Sequence, residues 1–250
     1  MNDASARAAT RPALTPDPVR LAEIELALFG IGSGHVQLPI APGVVAGHAS
    51  VLVTDAEGAP VAALDITAVS DDGQWVTGTP GPVAGREARG PFAALRIPPS
   101  QAGYERAAAV VGHGPVDAFS LAAAAAEPDR AVLIIVLDGP RVAPGPDVAD
   151  VVVAAVTLRD ELRRTGRVAD VIVVPAPEYG DERDGVLAGR IATAYGVRLV
   201  RPDRSPDLDA LRRGLAGRSA LPVDDWPEAS LNAWRRWHPP RHRRGLVVLF

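Results

Sequence analysis

Residues 171–200 constrain the fold more than any other part of the sequence, because about thirty residues there contain a strand, an acidic loop, a helix and a second strand. The run 171–174 is β-branched and is closed by Pro175, which is typical of a buried strand. Acidic residues then favour a helix start, where exposed amides and the helix dipole attract negative charge: Asp181, Glu182 and Asp184. Apolar residues recur at helical spacing up to Gly196, and 197–200 is predicted to be a second strand.

A strand, a helix and a strand at this spacing form a βαβ unit, which nearly always crosses over right-handed and builds a parallel sheet. Ligands of parallel sheets bind beyond the carboxyl ends of the strands, so the loop 175–185 is where the sequence predicts chemistry. The runs AAAVV at 107–111 and AVLIIVL at 131–137 are predicted as earlier strands of the same domain. Each is followed by a predicted helix, near 116–126 and 148–165.

The sequence pattern divides the chain into four regions. A helix is predicted to start at Asp17-Pro18, and β-rich runs (VLVT, PVAALDITAV, QWVTG and FAALRI) follow between 38 and 97. The two prolines at 98 and 99 mark the change to alternating strands and helices. The predicted regions are a disordered tail at 1–18, a β module at 19–98, a parallel α/β domain at 99–220, and a linker helix with one further strand at 221–250.

Composition excludes several kinds of site. The sequence has no cysteine, which excludes disulfides, thiolate catalysis and cysteine-ligated zinc. All 26 basic residues are arginine, so no lysine is present for a phosphate loop or a Schiff base. A net charge of −4 gives no reason to expect a nucleic-acid or membrane partner. The apolar runs are too short to span a bilayer and 1–18 lacks the apolar core of a secretory signal, which predicts a cytoplasmic protein.

Histidine and tryptophan positions give two further expectations. The scattered histidines lack metal-ligand spacing, so no metal is expected: His35, His48, His238 and His242. Trp226, Trp234 and Trp237 lie among arginines, a combination that can stack nucleic-acid bases. We favour the alternative that an amphipathic linker helix packs these indoles on a neighbouring domain.

Four phrases of the sequence occur in a recognisable order: LAEIELALFG, VLVTDAEGAPVAAL, GPFAALRIPPS and YGDERDGVLAGRIATAYG. Together they resemble the ATP sulfurylase (sulfate adenylyltransferase) family over roughly 21–218. The last phrase lies on that family's pattern Y-A-G-P-R-E-A followed by a helix ending in N-Y-G, with Tyr179, Arg183, Tyr195 and Gly196 kept and Asp184 standing for the glutamate. The resemblance implies an α/β fold in which a PUA-like β module precedes a Rossmann-like parallel α/β nucleotidyltransferase-type domain.

Residues 239–250, PPRHRRGLVVLF, resemble the linker and first strand of adenylylsulfate kinase, in which the phosphate loop comes next. A chain that ends at Phe250 has neither that loop nor its lysine, so it is not expected to perform the kinase reaction itself. The two resemblances imply the N-terminal part of a fused sulfurylase-like and adenylylsulfate kinase polypeptide. The implied partner is an adenylylsulfate kinase domain, in cis or in trans. Nucleotide or adenylylsulfate binding and a homo-oligomer are compatible with it.

The first active-site motif of the sulfurylase family, Q-x-R-N-P-x-H-x-x-H, is almost absent. The alignment on the proline puts Val111 in place of the glutamine, His113 in place of the arginine and Gly114 in place of the asparagine. It puts Asp117 in place of the first histidine and Ser120 in place of the second. A carboxylate in place of an imidazole repels a triphosphate, because two unit charges about 4 Å apart interact by roughly 1 kcal/mol in water and by several times more at lower dielectric.

The other two motifs are also reduced. The second, G-R-D-H-A-G, keeps only Asp203, and the third keeps Arg183 but has Asp181 and Glu182 in place of Gly-Pro. The resemblance therefore leaves His113, Arg183 and Asp203 as vestigial catalytic candidates, with Arg183 and Tyr179 as substrate-binding candidates.

Two of these candidates have alternative interpretations. His113 is either a polar loop residue, which we favour, or a phosphate contact. Arg183 is either an ion-pair partner of Asp181 or Asp184, which we favour, or an anion-binding group.

Three functions follow as hypotheses. The first is a catalytically degenerate sulfurylase-like module that serves as the scaffold or regulatory half of an adenylylsulfate kinase. The second is an active sulfate adenylyltransferase that uses Mg-ATP, the one cofactor expected in any of these hypotheses. The third is a non-catalytic module that binds adenylylsulfate or a partner enzyme.

Overall fold

The computed structural model describes residues 11–32, 34–83, 92–104 and 106–237, which divide into two compact units between Ala93 and Ala94. This division lies a few residues before the predicted boundary at 98–99. The predicted strand at 245–250 lies outside the described residues.

The first unit packs one helix and a five-stranded sheet around a single apolar core. Helix α1 begins where predicted, because the Asp17 carboxylate accepts a hydrogen bond of 2.9 Å from the Arg20 amide and Pro18 occupies the first turn. Strand order is β1-β3-β4-β5-β2, and all neighbours are antiparallel except the parallel pair β1 and β3. The elements are β1 (Ala13–Leu14), α1 (Pro18–Leu28), β2 (Val36–Pro39), β3 (Ser50–Thr54), β4 (Pro60–Val69) and β5 (Trp75–Pro82).

Two predictions for this unit are wrong. The tail predicted to be disordered over 1–18 contains β1, whose pairing is extended by a 2.9 Å hydrogen bond from the Leu52 amide to the Pro12 carbonyl. The open edge of β3 offers backbone groups that this short segment satisfies. The run FAALRI forms no strand among its described residues and contains a 3₁₀ turn at Ala93–Leu95. Its alanines have low β-propensity, and the prolines that follow lack the amide that a ladder needs.

The second unit is a parallel sheet covered by helices. Its strands have the order β8-β7-β6-β9, and every neighbouring pair is parallel. The strands are β6 (Ala107–Gly112), β7 (Ala131–Leu137), β8 (Ala169–Val174) and β9 (Arg198–Leu199), and the helices are α2 (Ala118–Ala125), α3 (Val148–Arg164), α4 (Glu182–Ala194), α5 (Leu208–Leu215) and α6 (Glu228–Trp237). This is the Rossmann-like parallel α/β arrangement, and the predicted helices and strands of the unit are confirmed within a few residues.

The chain changes direction across the sheet at β6. From β6 the chain builds outward through β7 to β8, and α4 then carries it back to place β9 on the other side of β6. The predicted strands 171–174 and 197–200 are therefore parallel but are not neighbours. The free edge of β6 provides the partner for β9, as the 2.8 Å hydrogen bond from the Val200 amide to the Ala109 carbonyl shows.

The core of the second unit depends on the two central strands. Apart from Ala131 at its start, every residue of β7 is buried, and the last four residues of β8 have no accessible surface. Strands covered on both faces read as continuous apolar runs, which is why AVLIIVL was recognisable in the sequence. Helix α3 packs on β7 and β8, whereas α4 packs on β6 and β9.

The tryptophan-bearing helix belongs to this same unit. Helix α6 packs on α3, and its Ser230 hydroxyl donates a 2.6 Å hydrogen bond to the Val116 carbonyl. The rings of Trp226, Trp234 and Trp237 meet edge to face in sequence, with centroids 5.8 and 5.6 Å apart. The prediction that this amphipathic helix packs its indoles on the neighbouring domain is confirmed for the described residues, which form one compact unit with the α/β domain. With Trp226 and Trp234 buried, they are not available to stack bases.

No helix in the described ranges is long and apolar enough to cross a membrane.

We predict that Gly139→Ala destabilises the second unit. A Cβ at Gly139, just after β7, would lie 2.3 Å from the Ala176 carbonyl oxygen, and backbone atoms cannot move aside as a side chain does. The free energy of unfolding should fall by about 1–3 kcal/mol, measured by urea denaturation.

The matched control is Gly189→Ala on α4, where an added Cβ meets nothing within 4 Å. This variant should be more stable than the parent by up to about 1 kcal/mol, because alanine favours a helix interior over glycine. Equal stabilities for the two variants would contradict the close approach of the loops after β7 and β8.

Candidate functional site

The candidate site lies at the carboxyl ends of the parallel strands. Because the strand order changes direction at β6, the crevice between β6 and β9 is where a fold of this kind binds ligands. The loops after β6, β7 and β8 meet at the same edge. Together they hold the predicted residues His113, Tyr179 and Arg183, while Asp203 follows β9.

His113 is held in the loop after β6 with its ring turned away from water. Both ring nitrogens are buried, and neither makes a hydrogen bond of normal geometry. Burial is the main cause that lowers the pKa of His113, and the nearby Arg141 guanidinium lowers it further. The Glu178 carboxylate, the Pro177 carbonyl and Asp184 oppose this shift without overcoming it. The ring is therefore neutral at pH 7 and offers no cationic contact to a phosphate.

Arg141 ties the loop after β6 to the loop after β7. Its guanidinium donates hydrogen bonds to the carbonyl oxygens of His113 and Pro146. Burial lowers the pKa of Arg141, opposed by the carboxylates of Glu178 and Asp147. With two of its donors directed at the protein's own carbonyls, the side chain acts as a brace between loops.

Glu178 performs the same role between the loops after β7 and β8. Its Oε2 atom accepts hydrogen bonds from the amides of Val142 (3.0 Å) and Ala143 (3.1 Å). The amide of Glu178 in turn donates a 2.8 Å hydrogen bond to the Pro140 carbonyl. Successive amides of this kind are typical anion-binding groups, and here a carboxylate of the same chain already occupies them.

The backbone amides of the segment before α4 also donate hydrogen bonds to a carboxylate of the same chain. The two oxygens of Asp184 accept 2.8 Å hydrogen bonds from the amides of Tyr179 and Gly180. Arg183 forms an ion pair with Asp181, one of its two predicted partners, at distances of 2.9 to 3.1 Å. Hydrogen bonds from Arg183 lower the pKa of the Asp181 carboxyl. The guanidinium also lies over the Tyr179 ring, 4.3 Å from its centroid.

Aspartates cap the helices that begin at this edge. The carboxylate at each N-cap accepts a hydrogen bond from a first-turn amide of the helix it precedes: Asp117 for α2, Asp147 for α3, Asp181 for α4 and Asp207 for α5. Asp117 also accepts a 2.7 Å hydrogen bond from the Ser120 hydroxyl. The two positions that stand for the family's histidines therefore form a capping pair. One first-turn amide of each helix is thus occupied and is not available to a phosphate.

The region after β9 is separate from the loops after β7 and β8. Asp203 is exposed there, on the other side of β6. The neighbouring Arg204 lies over the Phe119 ring on α2, 4.6 Å from the centroid, and is 3.7 Å from the Asp225 carboxylate. The structure thus brings His113 near the segment Glu178–Asp184 and Tyr179 into contact with Arg183, but it gives Asp203 a different environment.

One cavity at this edge is small. A cavity of about 160 Å³ lies beneath the loop after β6, lined by Gly112, Gly114 and Asp117 among others. Small-molecule sites usually measure about 300–1,000 Å³, so this cavity is too small for a nucleotide. Among the described residues no group of three or more histidine, aspartate or glutamate side chains could hold a metal ion.

Arg141 and Glu178 are the two residues that the sequence did not reveal. Both lie in proline-rich loops with no repeated spacing, and their partners are backbone groups of other loops. The one available signal was a charged residue within an otherwise apolar, proline-bounded segment.

Comparison with known proteins gives one result that concerns the fold. A solved structure described as a hexameric APS kinase from Thiobacillus denitrificans matches with a TM-score of 0.68 and 18% sequence identity. The match covers 94% of this chain and 65% of that one, so the present chain spans about two thirds of the length of its structural neighbour. No protein-family model and no curated protein sequence matches the chain. The chain therefore has an APS kinase-like α/β fold.

We predict that His113 titrates below the ordinary histidine pKa of about 6.5. The folded state then binds fewer protons than the unfolded state in mildly acidic solution, so stability is retained above pH 6.5 and falls as the pH drops below it. The measurement is a titration of the His113 ring by ¹⁵N NMR together with urea denaturation at several pH values.

A His113→Phe variant removes this contribution, so its unfolding free energy should depend less on pH between 7 and 5 than that of the parent. A ring pKa at or above 6.5 would contradict the buried, neutral histidine.

Proposed function

We propose that this chain is a catalytically inactive sulfurylase-like module that works in sulfate activation as the scaffold or regulatory half of an adenylylsulfate kinase. The main observation in support of the proposal is the hydrogen bonding of the backbone amides at the carboxyl edge. They bind carboxylates of the same chain, including Asp184, Glu178 and the aspartate caps, where an active nucleotidyltransferase needs free donors for phosphate.

The charge at the predicted site argues in the same direction. Adenylyl transfer develops negative charge on phosphate oxygens and needs cations or donors beside them. Arg183 has its guanidinium on Asp181, and the ring of His113 is buried and neutral. Neither side chain supplies the positive charge that the reaction requires.

The fold supports the assignment to sulfate activation. The structural neighbour is an APS kinase, and its likeness extends over nearly all of this chain. Because that neighbour is hexameric, we propose that this module also self-associates and that it places adenylylsulfate kinase domains, in cis or in trans, in an oligomer. The first unit serves in this proposal as a PUA-like module, and the protein works in the cytoplasm.

The test measures turnover and assembly separately. The purified chain should form no ATP from adenylylsulfate and pyrophosphate above the rate without protein. Calorimetry should detect no binding of Mg-ATP to the chain. Light scattering after size exclusion should show an oligomer, and an adenylylsulfate kinase domain from the same organism should co-elute with it.

Turnover that Arg183→Ala abolishes and Arg190→Ala leaves unchanged would overturn the proposal in favour of an active sulfate adenylyltransferase. Arg190 is the matched control because it is exposed on the same helix α4. Micromolar binding of adenylylsulfate by a monomer, without turnover, would instead show a ligand-binding module.

A further inference from the structure

A cleft of the second unit lies at the opposite edge of the sheet from the candidate site. It is formed at the amino ends of β6, β7 and β8 and has a volume of about 540 Å³. This volume falls within the range of small-molecule sites, about 300–1,000 Å³. No role of the carboxyl edge requires a cleft in this position.

The floor of the cleft is apolar. Tyr104, Ala131 and Val168 contribute accessible surface to this lining, whereas Val132 and Leu133 beneath it are almost completely buried. Val168 is 73% exposed, so its apolar side chain is open to water. Covering such a surface is favourable by about 25 cal/mol per Å² of apolar area.

The polar groups at the cleft are partly committed to one another. The Tyr104 hydroxyl donates a 3.0 Å hydrogen bond to Asp170, and Arg163 lies 3.7 Å from the same carboxylate. Burial is the main cause that raises the pKa of Tyr104 to about 12, so this hydroxyl remains a donor at neutral pH. Arg130 forms an ion pair with Glu127.

Arg106 differs from the other arginines of the cleft. Its side chain is exposed, and it has no ion-pair partner in the part of the chain that the structure describes. The cleft is lined by three arginines and two aspartates. Because Arg130 pairs with Glu127 and Arg163 lies beside Asp170, Arg106 is the arginine of this lining that has no ion-pair partner among the described residues. One of the two aspartates, Asp129, is exposed at the rim and would repel a second negative charge on a ligand.

From the exposed apolar side chain of Val168 and the exposed, unpaired guanidinium of Arg106, we propose that this cleft binds a small amphipathic monoanion, an apolar body that carries one carboxylate. The apolar body covers Val168 and the start of β7, and the carboxylate binds the Arg106 guanidinium. The site does not depend on the function proposed for the carboxyl edge.

The probe is 3-phenylpropionate, titrated into the full chain and followed by calorimetry and by amide chemical shifts. Two analogues of the same shape separate the contributions: 3-phenylpropionamide, which is neutral, and 3-phenylpropylamine, which is cationic. The carboxylate should bind about tenfold more tightly than the amide, because hydrogen bonds to a charged group are stronger than neutral ones. The amine should not bind. Shifts should concentrate at the amino ends of β6 to β8.

Two variants test the location. Arg106→Gln should weaken binding of the carboxylate about tenfold and leave that of the amide unchanged. Val168→Glu should abolish carboxylate binding, because it replaces apolar contact with a like charge. Both residues are exposed, so neither substitution should lower the melting temperature appreciably.

The matched controls are Arg190→Gln and Val186→Glu, exposed positions on α4 that do not line the cleft. Both should bind the carboxylate like the parent. The proposal is overturned if the amide or the amine binds as tightly as the carboxylate, if Arg106→Gln binds like the parent, or if the controls lose binding to the same extent.

Discussion

The aspartate caps at the carboxyl edge are the interaction that decides what this edge of the second unit can bind. A helix start leaves four amides without intrahelical partners, and these must find acceptors if the helix is to pack against a buried sheet. In this chain the acceptors are the carboxylates of Asp117, Asp147, Asp181 and Asp207. Each cap contributes about 1 kcal/mol to stability, and each places a carboxylate on one of the amides that could otherwise bind a phosphate.

The energies of the caps and of like-charge contacts show whether a nucleotide could bind at the carboxyl edge. A triphosphate placed there would have to displace carboxylates from their amides and would then face them at short range. Each displaced cap costs about 1 kcal/mol. Each like-charge contact near 4 Å costs about 4 kcal/mol at the dielectric typical of a protein surface. A micromolar ligand has only about 8 kcal/mol of binding free energy in total, so two such contacts are enough to cancel it.

Local chemistry explains why the helices of this unit could be predicted from the sequence. An aspartate followed by apolar residues at helical spacing fixes where α4 begins, and Gly196 in a positive-φ conformation just after it fixes where it ends. The strand β7 could be recognised because seven consecutive apolar residues can be accommodated only between two layers of helices. Each of these sequence patterns involves only residues close together in the chain, so it can be recognised without knowing the rest of the fold.

The pairing of β9 with β6 and the braces made by Arg141 and Glu178 could not be predicted, because each depends on the relative position of segments far apart in sequence. Thirty residues that read as a βαβ unit are equally compatible with adjacent or separated strands, and the free edge of β6 decides between them. For the site, the sequence predicted Asp181 as one of two alternative partners of Arg183 but not the burial of His113, which lies beside the braces.

The two edges of the sheet differ in a way that follows from this arrangement. At the carboxyl edge, strand ends and helix starts converge, so many free amides meet and the chain supplies many carboxylates to satisfy them. At the amino edge, the strands begin after turns, and the arginines there include Arg130 and Arg163, which lie beside carboxylates, and the exposed Arg106. A closed edge rich in acidic caps and an open edge with an exposed guanidinium are therefore two results of one constraint, the need to satisfy backbone amides where helices begin.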